Sequence, residues 1–270
     1  MTRGRDGSVT LSGPTIHTGD TATATLKRSD GPIAFVRDGT RIPATVANVV
    51  ATDRTTTLGA DARTVSLVEH LLAALRIAGF YAGVTITVSG SELPILDGSA
   101  QPWLDALAAL GEPPEAPEAL RVTDVVEVKV GDSVARVEPG PESLRCTVAF
   151  PHPAIGTQVW SGGPESYADL AAARTFGFMA EAEVLRSRGL ALGAVLEHAI
   201  VFADDGPMSP LRFADEPVRH KALDAVGDLA LLGRPVAASI TIERGSHKLH
   251  HALMLALTST STRPATVQEP

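Results

Sequence analysis

The sequence predicts an α+β protein of two similar halves, each a β-sheet with helices. Three observations lead there. Both halves run strands, helix, strand, helix. A Pro- and Glu-rich stretch, GEPPEAPEAL, separates them. A short pattern also recurs: Val-Glu-His-Leu opens a helix followed by Val-Thr-Ile-Thr-Val, and Val-Arg-His-Lys opens another followed by Ala-Ser-Ile-Thr-Ile. His70 and His220 take matching places, and two such halves facing each other would bring both to one seam. The expected domains are 1–112, carrying Glu69 and His70, and 121–270, joined by a linker at 113–120.

In chain order, VTLSG, TATATLKR, GPIAFVRDG and TRIPATVANVV alternate and break at Gly, Asp and Pro, so they read as short strands. SLVEHLLAALRIAG is a helix with Ser66 as N-cap and Gly79 as its stop. AGVTITVSG is a strand, and SAQPWLDALAALG is a helix ended by Gly111. After the linker, RVTDVVEVKVG, SVARVEP and SLRCTVAF are strands. SYADLAAA and AEAEVLRSRGL are helical, the second ending at Gly189, and LEHAIVFADDG is a strand running into a turn. EPVRHKALDAVGDLALLG is a helix with Pro217 near its first position, where the missing N–H costs nothing. RPVAASITIERG is a strand and HKLHHALMLALTST a last helix. The tail STRPATVQEP is expected to be disordered.

Composition narrows the function. Of 270 residues, 44% are hydrophobic and 20% charged, the profile of a soluble globular enzyme. A net charge of −8 argues against nucleic acid as a partner, though not against a small anion held by local cations. No apolar run has the length of a membrane span, and MTRGRDGSVTL has no secretory h-region, so a cytoplasmic location is expected without stable membrane insertion. Cys146 is the only cysteine and sits in an alternating run, which suits a buried strand residue.

The helix VRHKALDAVGDL, Val218 to Leu229, poses the functional question. At 100° per residue, with His220 at zero, Asp224 falls near about 40°, Asp228 about 80° and Lys221 about 100°. Val218, Ala222, Leu223, Ala225, Val226 and Leu229 lie opposite. The polar arc is either a solvated face or a site. Two details favour a site: His and Asp stand at i and i+4, a metal-ligand spacing, and the arc holds no long solubilising Glu. His70 is the best third ligand on the repeat. Two histidines and an aspartate with one open position form a catalytic zinc arrangement. There is no HExxH, and Glu69, beside His70, is the candidate base.

The chain resembles the UDP-3-O-acyl-N-acetylglucosamine deacetylases, zinc amidases of lipid A synthesis. The matching pieces are IHTG, VEHLLAAL, LPILDGSAQP, HPAIG, ARTFGFM, SRGLALGA, LRFADEPVRHKALDAVGDL and the GSH at Gly245 to His247. The resemblance implies two α+β domains of like topology, layered so that helices pack between the two sheets. It implies His70, His220 and Asp224 as zinc ligands, with iron(II) also able to occupy them. By the same resemblance Glu69 is the general base, and His247, oriented by Asp228, is the protonated acid. Thr175 meets the developing oxyanion. Substrate contacts carry over to Lys221 at the diphosphate, Phe150 at uracil, and Phe176, His17 and Arg244. Ala180 to Phe202 takes the place of an acyl-chain passage. The implied partner is a UDP-linked acylated amino sugar, and the implied form a monomer. The match departs at Pro151, Lys248 and His250, the last where the family tends to have Asn. Two rivals are a zinc deacetylase for another N-acetylated nucleotide sugar and a non-catalytic relative.

Overall fold

The first half of the chain forms the strands that its alternation requires. The computed structural model describes residues 1–181, 187, 192–193 and 196–260. Most of the helix expected over 180–190, much of 180–202 and the tail after Thr260 lie outside them.

Strands β1 (Thr2–Arg3), β2 (Val9–Pro14), β3 (Thr21–Pro32), β4 (Ala34–Arg37) and β5 (Thr40–Pro43) come first. A small hairpin sheet follows: β6 (Val49–Ala51), β7 (Thr57–Ala60) and β8 (Arg63–Val65). Then come helix α1 (Glu69–Ile77), β9 (Ala82–Val88) and α2 (Gln101–Ala108). The second half holds β10 (Leu120–Arg121), β11 (Val126–Val130), β12 (Ser133–Pro139), β13 (Ser143–Ala149) and β14 (Thr157–Gly162). After a 3₁₀ turn at Pro164–Leu170 come β15 (Phe176–Phe178), β16 (Ile200–Ala203) and β17 (Gly206–Pro207). Helix α3 (Glu216–Leu229), β18 (Val236–Glu243) and α4 (His247–Thr260) complete it.

The repeat extends to topology. In the first sheet β2-β3-β9-β4-β5 lie side by side, and in the second β11-β12-β18-β13-β14 do. In each, the central strand is parallel to one neighbour (β9 to β4, β18 to β13) and antiparallel to the other (β3, β12). A crossover helix precedes each central strand: α1 before β9, α3 before β18. The helices lie between the sheets, since α1 packs on α2 and α3, α3 on β13 and β14, and α4 on α3, β11 and β12. One continuous apolar core runs through both halves. Cys146 is buried on β13, as expected, and burial pushes its thiol up, away from nucleophilic use.

The α1–α3 crossing depends on Gly227. A Cβ there would lie 2.1 Å from the Glu69 carbonyl oxygen, a backbone atom that cannot step aside alone. Gly227→Ala is therefore expected to wedge the two helices apart and cost about 1–3 kcal/mol or more. Its melting temperature should fall several degrees below that of the parent; a melt within about one degree would refute so tight a crossing.

Two local expectations are corrected, and one strand was not foreseen. Ser66 does not cap α1: Val68 holds that position without a side-chain cap, Leu67 takes a left-handed φ of 62°, and Ser66 bridges to Glu92 instead. A contact with a distant strand-like segment outcompetes the local cap. Ser166–Ala173 does not form an α-helix; the chain makes a 3₁₀ turn that ends at Leu170. Strand β14 gives almost no sequence signal, because only Trp160 of its six residues is buried. Gly79 and Gly111 both take the left-handed φ that stops a helix.

Candidate active site

Helix α3 starts on a built support. Glu216, in its first turn, is fully buried and accepts from Arg174 N at 3.0 Å, Arg174 Nε at 2.9 Å and Arg212 N at 2.6 Å. These bonds dock residues 173–175 against the helix. Thr175 is fixed further, donating its N–H to Gly98 O at 2.7 Å and accepting Ile200 N–H at 2.9 Å. Gly98 itself must be glycine, since a Cβ there would sit 2.2 Å from His198 O and its φ is 84°.

The polar arc of α3 faces α1, not water. His220, Asp224 and Asp228 are all buried, which removes the solvated-face alternative. His70 and His220 lie ring to ring, centroids 5.1 Å apart, and their Nε2 atoms stand 3.9 Å and 3.4 Å from Asp224 Oδ1. That oxygen is buried without a hydrogen-bond partner. An orphaned carboxylate oxygen is costly unless something cationic meets it. His220 Nδ1 lies 3.2 Å from the Ala173 carbonyl, which takes its N–H and leaves Nε2 as a lone-pair donor. Burial drives the His70 imidazole down to about 3 and lowers His220 too, so both rings are neutral. Burial would raise Asp224, but its surroundings outweigh this and hold the carboxylate far down, the Lys221 ammonium at 2.8 Å being the cation that stays charged beside it. Two neutral imidazoles and one carboxylate with inward donor atoms fit a divalent metal ion.

A second cluster adjoins the first. Glu69 is buried, and burial pushes its carboxyl up to about 7 against the pull of His247. His247 Nε2 lies 3.9 Å from Glu69 Oε1. His247 Nδ1 lies 2.7 Å from Asp228 Oδ2; burial opposes its charge, yet Asp228 prevails and raises the imidazole to about 9. Asp228 is in turn held below its usual range by His247 despite its burial. The geometry thus sets a carboxylate able to take a proton opposite an imidazolium able to give one.

The remaining expected residues are more scattered. Lys221 lies inside the site: its ammonium donates to Asp224 Oδ2 at 2.8 Å and sits 5.7 Å over the Phe176 ring. Phe176 is also 6.2 Å from the His220 ring, and Phe150 packs edge-on against Phe176 at 5.5 Å. His17 is held by its backbone, its N–H and those of Ile16 and Thr18 all donating to the buried Glu92 carboxylate. Arg244 is exposed, with its guanidinium 3.8 Å from Asp132.

Three residues at the site were given no role in it by the sequence reading. Thr55 and Thr56, on the β6–β7 turn, both bond Glu69, and Thr56 also bonds Asp228 across the seam. His250 Nδ1 shares Asp228 Oδ2 with His247, at 2.7 Å. Its i+3 spacing from His247 on one helix was the available signal. For the threonines there was none.

Known proteins are similar to this chain over almost its whole length. A family model described as UDP-3-O-acyl N-acetylglycosamine deacetylase matches residues 5–259. A UDP-3-O-acyl-N-acetylglucosamine deacetylase of Thermosynechococcus vestitus is 44% identical over 93% of this chain and 92% of its own length. One from Geobacter sp. is 40% identical over 92% and 86%, and one from Brucella melitensis 36% over 94% of both.

Proposed function

The chain belongs to the UDP-3-O-acyl N-acetylglycosamine deacetylase family, and from that premise we propose that its buried seam hydrolyses the N-acetyl group of UDP-3-O-(3-hydroxyacyl)-N-acetylglucosamine. It is an amide-hydrolysing enzyme of lipid A biosynthesis, releasing acetate and the amino sugar. The observation that carries the site assignment is the orphaned Asp224 Oδ1, faced by Nε2 of His70 from one half and of His220 from the other.

His70, His220 and Asp224 are the proposed ligands of zinc, and iron(II) suits the same donors. When bound, the metal supplies a Lewis acid that polarises the amide carbonyl and acidifies the attacking water. Glu69 Oε1 faces the site and accepts the proton of that water. Thr175, held by the Gly98 carbonyl and β16, meets the negative charge that develops on the amide oxygen. His247, kept protonated by Asp228, delivers a proton to the nitrogen so that it leaves as an amine. Lys221 fixes the other Asp224 oxygen, and with Phe150, Phe176, His17 and Arg244 it completes the proposed substrate contacts. No helix among the described residues is long and apolar enough to cross a membrane. A cytoplasmic monomer is part of the proposal.

The test is acetate release from the acylated UDP-sugar by metal-stripped protein, with and without one equivalent of zinc. Zinc-dependent turnover is expected, and UDP-N-acetylglucosamine lacking the acyl chain should react far more slowly. Equal rates on both substrates would move the enzyme to another nucleotide sugar.

A further inference from the structure

The turn between β6 and β7 reaches both carboxylates of the acid–base cluster. Thr56 donates its hydroxyl proton to Asp228 Oδ1 at 2.5 Å and its backbone N–H to Glu69 Oε2 at 3.1 Å. Thr55 donates its hydroxyl to the same Glu69 oxygen at 2.9 Å and accepts Leu67 N–H at 2.8 Å. Both threonines are buried, so no solvent competes for these bonds. The donors are unevenly shared. Glu69 Oε2 takes two of them, while Oε1 faces His247 Nε2 across 3.9 Å. Asp228 Oδ1 takes the Thr56 hydroxyl, while Oδ2 takes Nδ1 of both His247 and His250.

Resting on the function proposed above, we infer that Thr56 is a positioning residue that ties the base to the acid pair across the two halves. With Oε2 occupied, Oε1 is the oxygen of Glu69 that accepts the proton. With Oδ1 occupied, Asp228 turns Oδ2 toward the imidazoles and holds His247 Nε2 toward the substrate. The remaining lone pair of the Thr56 hydroxyl lies 3.3 Å from His247 Nδ1, a second brace on the same ring. One side chain from the first half thereby sets the geometry of both the group that takes a proton and the group that gives one.

Thr56→Val keeps the volume and the backbone N–H but removes the hydroxyl. Thr56→Ser keeps the hydroxyl and loses a methyl. A role in packing predicts that serine is the more damaging change; a role in positioning predicts valine. In zinc-loaded protein, Thr56→Val is expected to lower kcat about 10–100-fold, the usual effect of losing an outer-shell partner, with KM and zinc content nearly unchanged. Thr56→Ser should stay close to the parent. A readout independent of turnover is the low-field Nδ1–H resonance of His247. It should shift or broaden by solvent exchange in Thr56→Val and return in Thr56→Ser. If Thr56→Val does not fold, Thr56→Cys, a weaker donor of similar size, carries the same comparison. Parental kcat with an unchanged resonance in Thr56→Val, or a serine variant as impaired as valine, overturns the inference. A parent that releases no acetate instead overturns the proposed function, and the resonance still decides the role of Thr56.

Discussion

Asp224→Ala is expected to lose stoichiometric zinc and to lower kcat/KM by roughly three orders of magnitude or more. The size follows from the several kcal/mol of charge stabilisation that a catalytic metal supplies, at about 1.4 kcal/mol per tenfold. The substitution removes the one carboxylate oxygen that both Nε2 atoms face. It also leaves the Lys221 ammonium without its counter-ion. That side chain is 26% exposed, so it can turn to water, and the fold should survive with a modest loss of melting temperature. Zinc content and activity are therefore separable from unfolding. Dialysed Asp224→Ala that still holds one zinc per chain would remove Asp224 from the ligand set.

Glu69→Gln should be the second large loss, about 10²–10⁴-fold in kcat with zinc retained, the range for removing a general base. Its signature lies in the pH profile. As the proposed base Glu69 works as the carboxylate, so activity should rise as pH climbs through its pKa, which burial pushes up to about 7. As the proposed acid His247 works as the imidazolium, so activity should fall as pH climbs through its pKa, raised to about 9 by Asp228 against its burial. The parent is expected to show a bell between those limbs, both drawn to lower pH by a dication in the site. In Glu69→Gln the acid limb disappears and the basic limb stays. A residual rate that keeps the acid limb would assign it to another group.

The sequence exposed which residues share a helix face, but not what that face meets. In α3 the spacing of His220, Asp224 and Asp228 was readable, while their burial came from α1, roughly 150 residues earlier in the chain. Apart from the family resemblance, the internal repeat was the clue that joined His70 to them, and it was legible because both copies precede a strand of the same pattern. Thr56 offered no such clue. Its bond to Asp228 spans 172 residues and ends on a side chain, so neither periodicity nor local spacing announces it. Ser66 failed for a related reason: the local cap signal was sound, and the pairing with Glu92 outcompeted it.

The division of the proposed ligand set between the halves has a thermodynamic consequence. His70 comes from the crossover helix of the first sheet, and His220 and Asp224 from that of the second. Neither half alone offers a complete set, so metal affinity and the docking of the halves are linked functions. An ion present at a thousandfold its Kd stabilises the docked arrangement by about 4 kcal/mol. By reciprocity, a change that loosens the α1–α3 crossing weakens the hold on the ion to the extent that it depopulates the docked arrangement. Metal affinity therefore gauges how firmly the two halves of the molecule are joined.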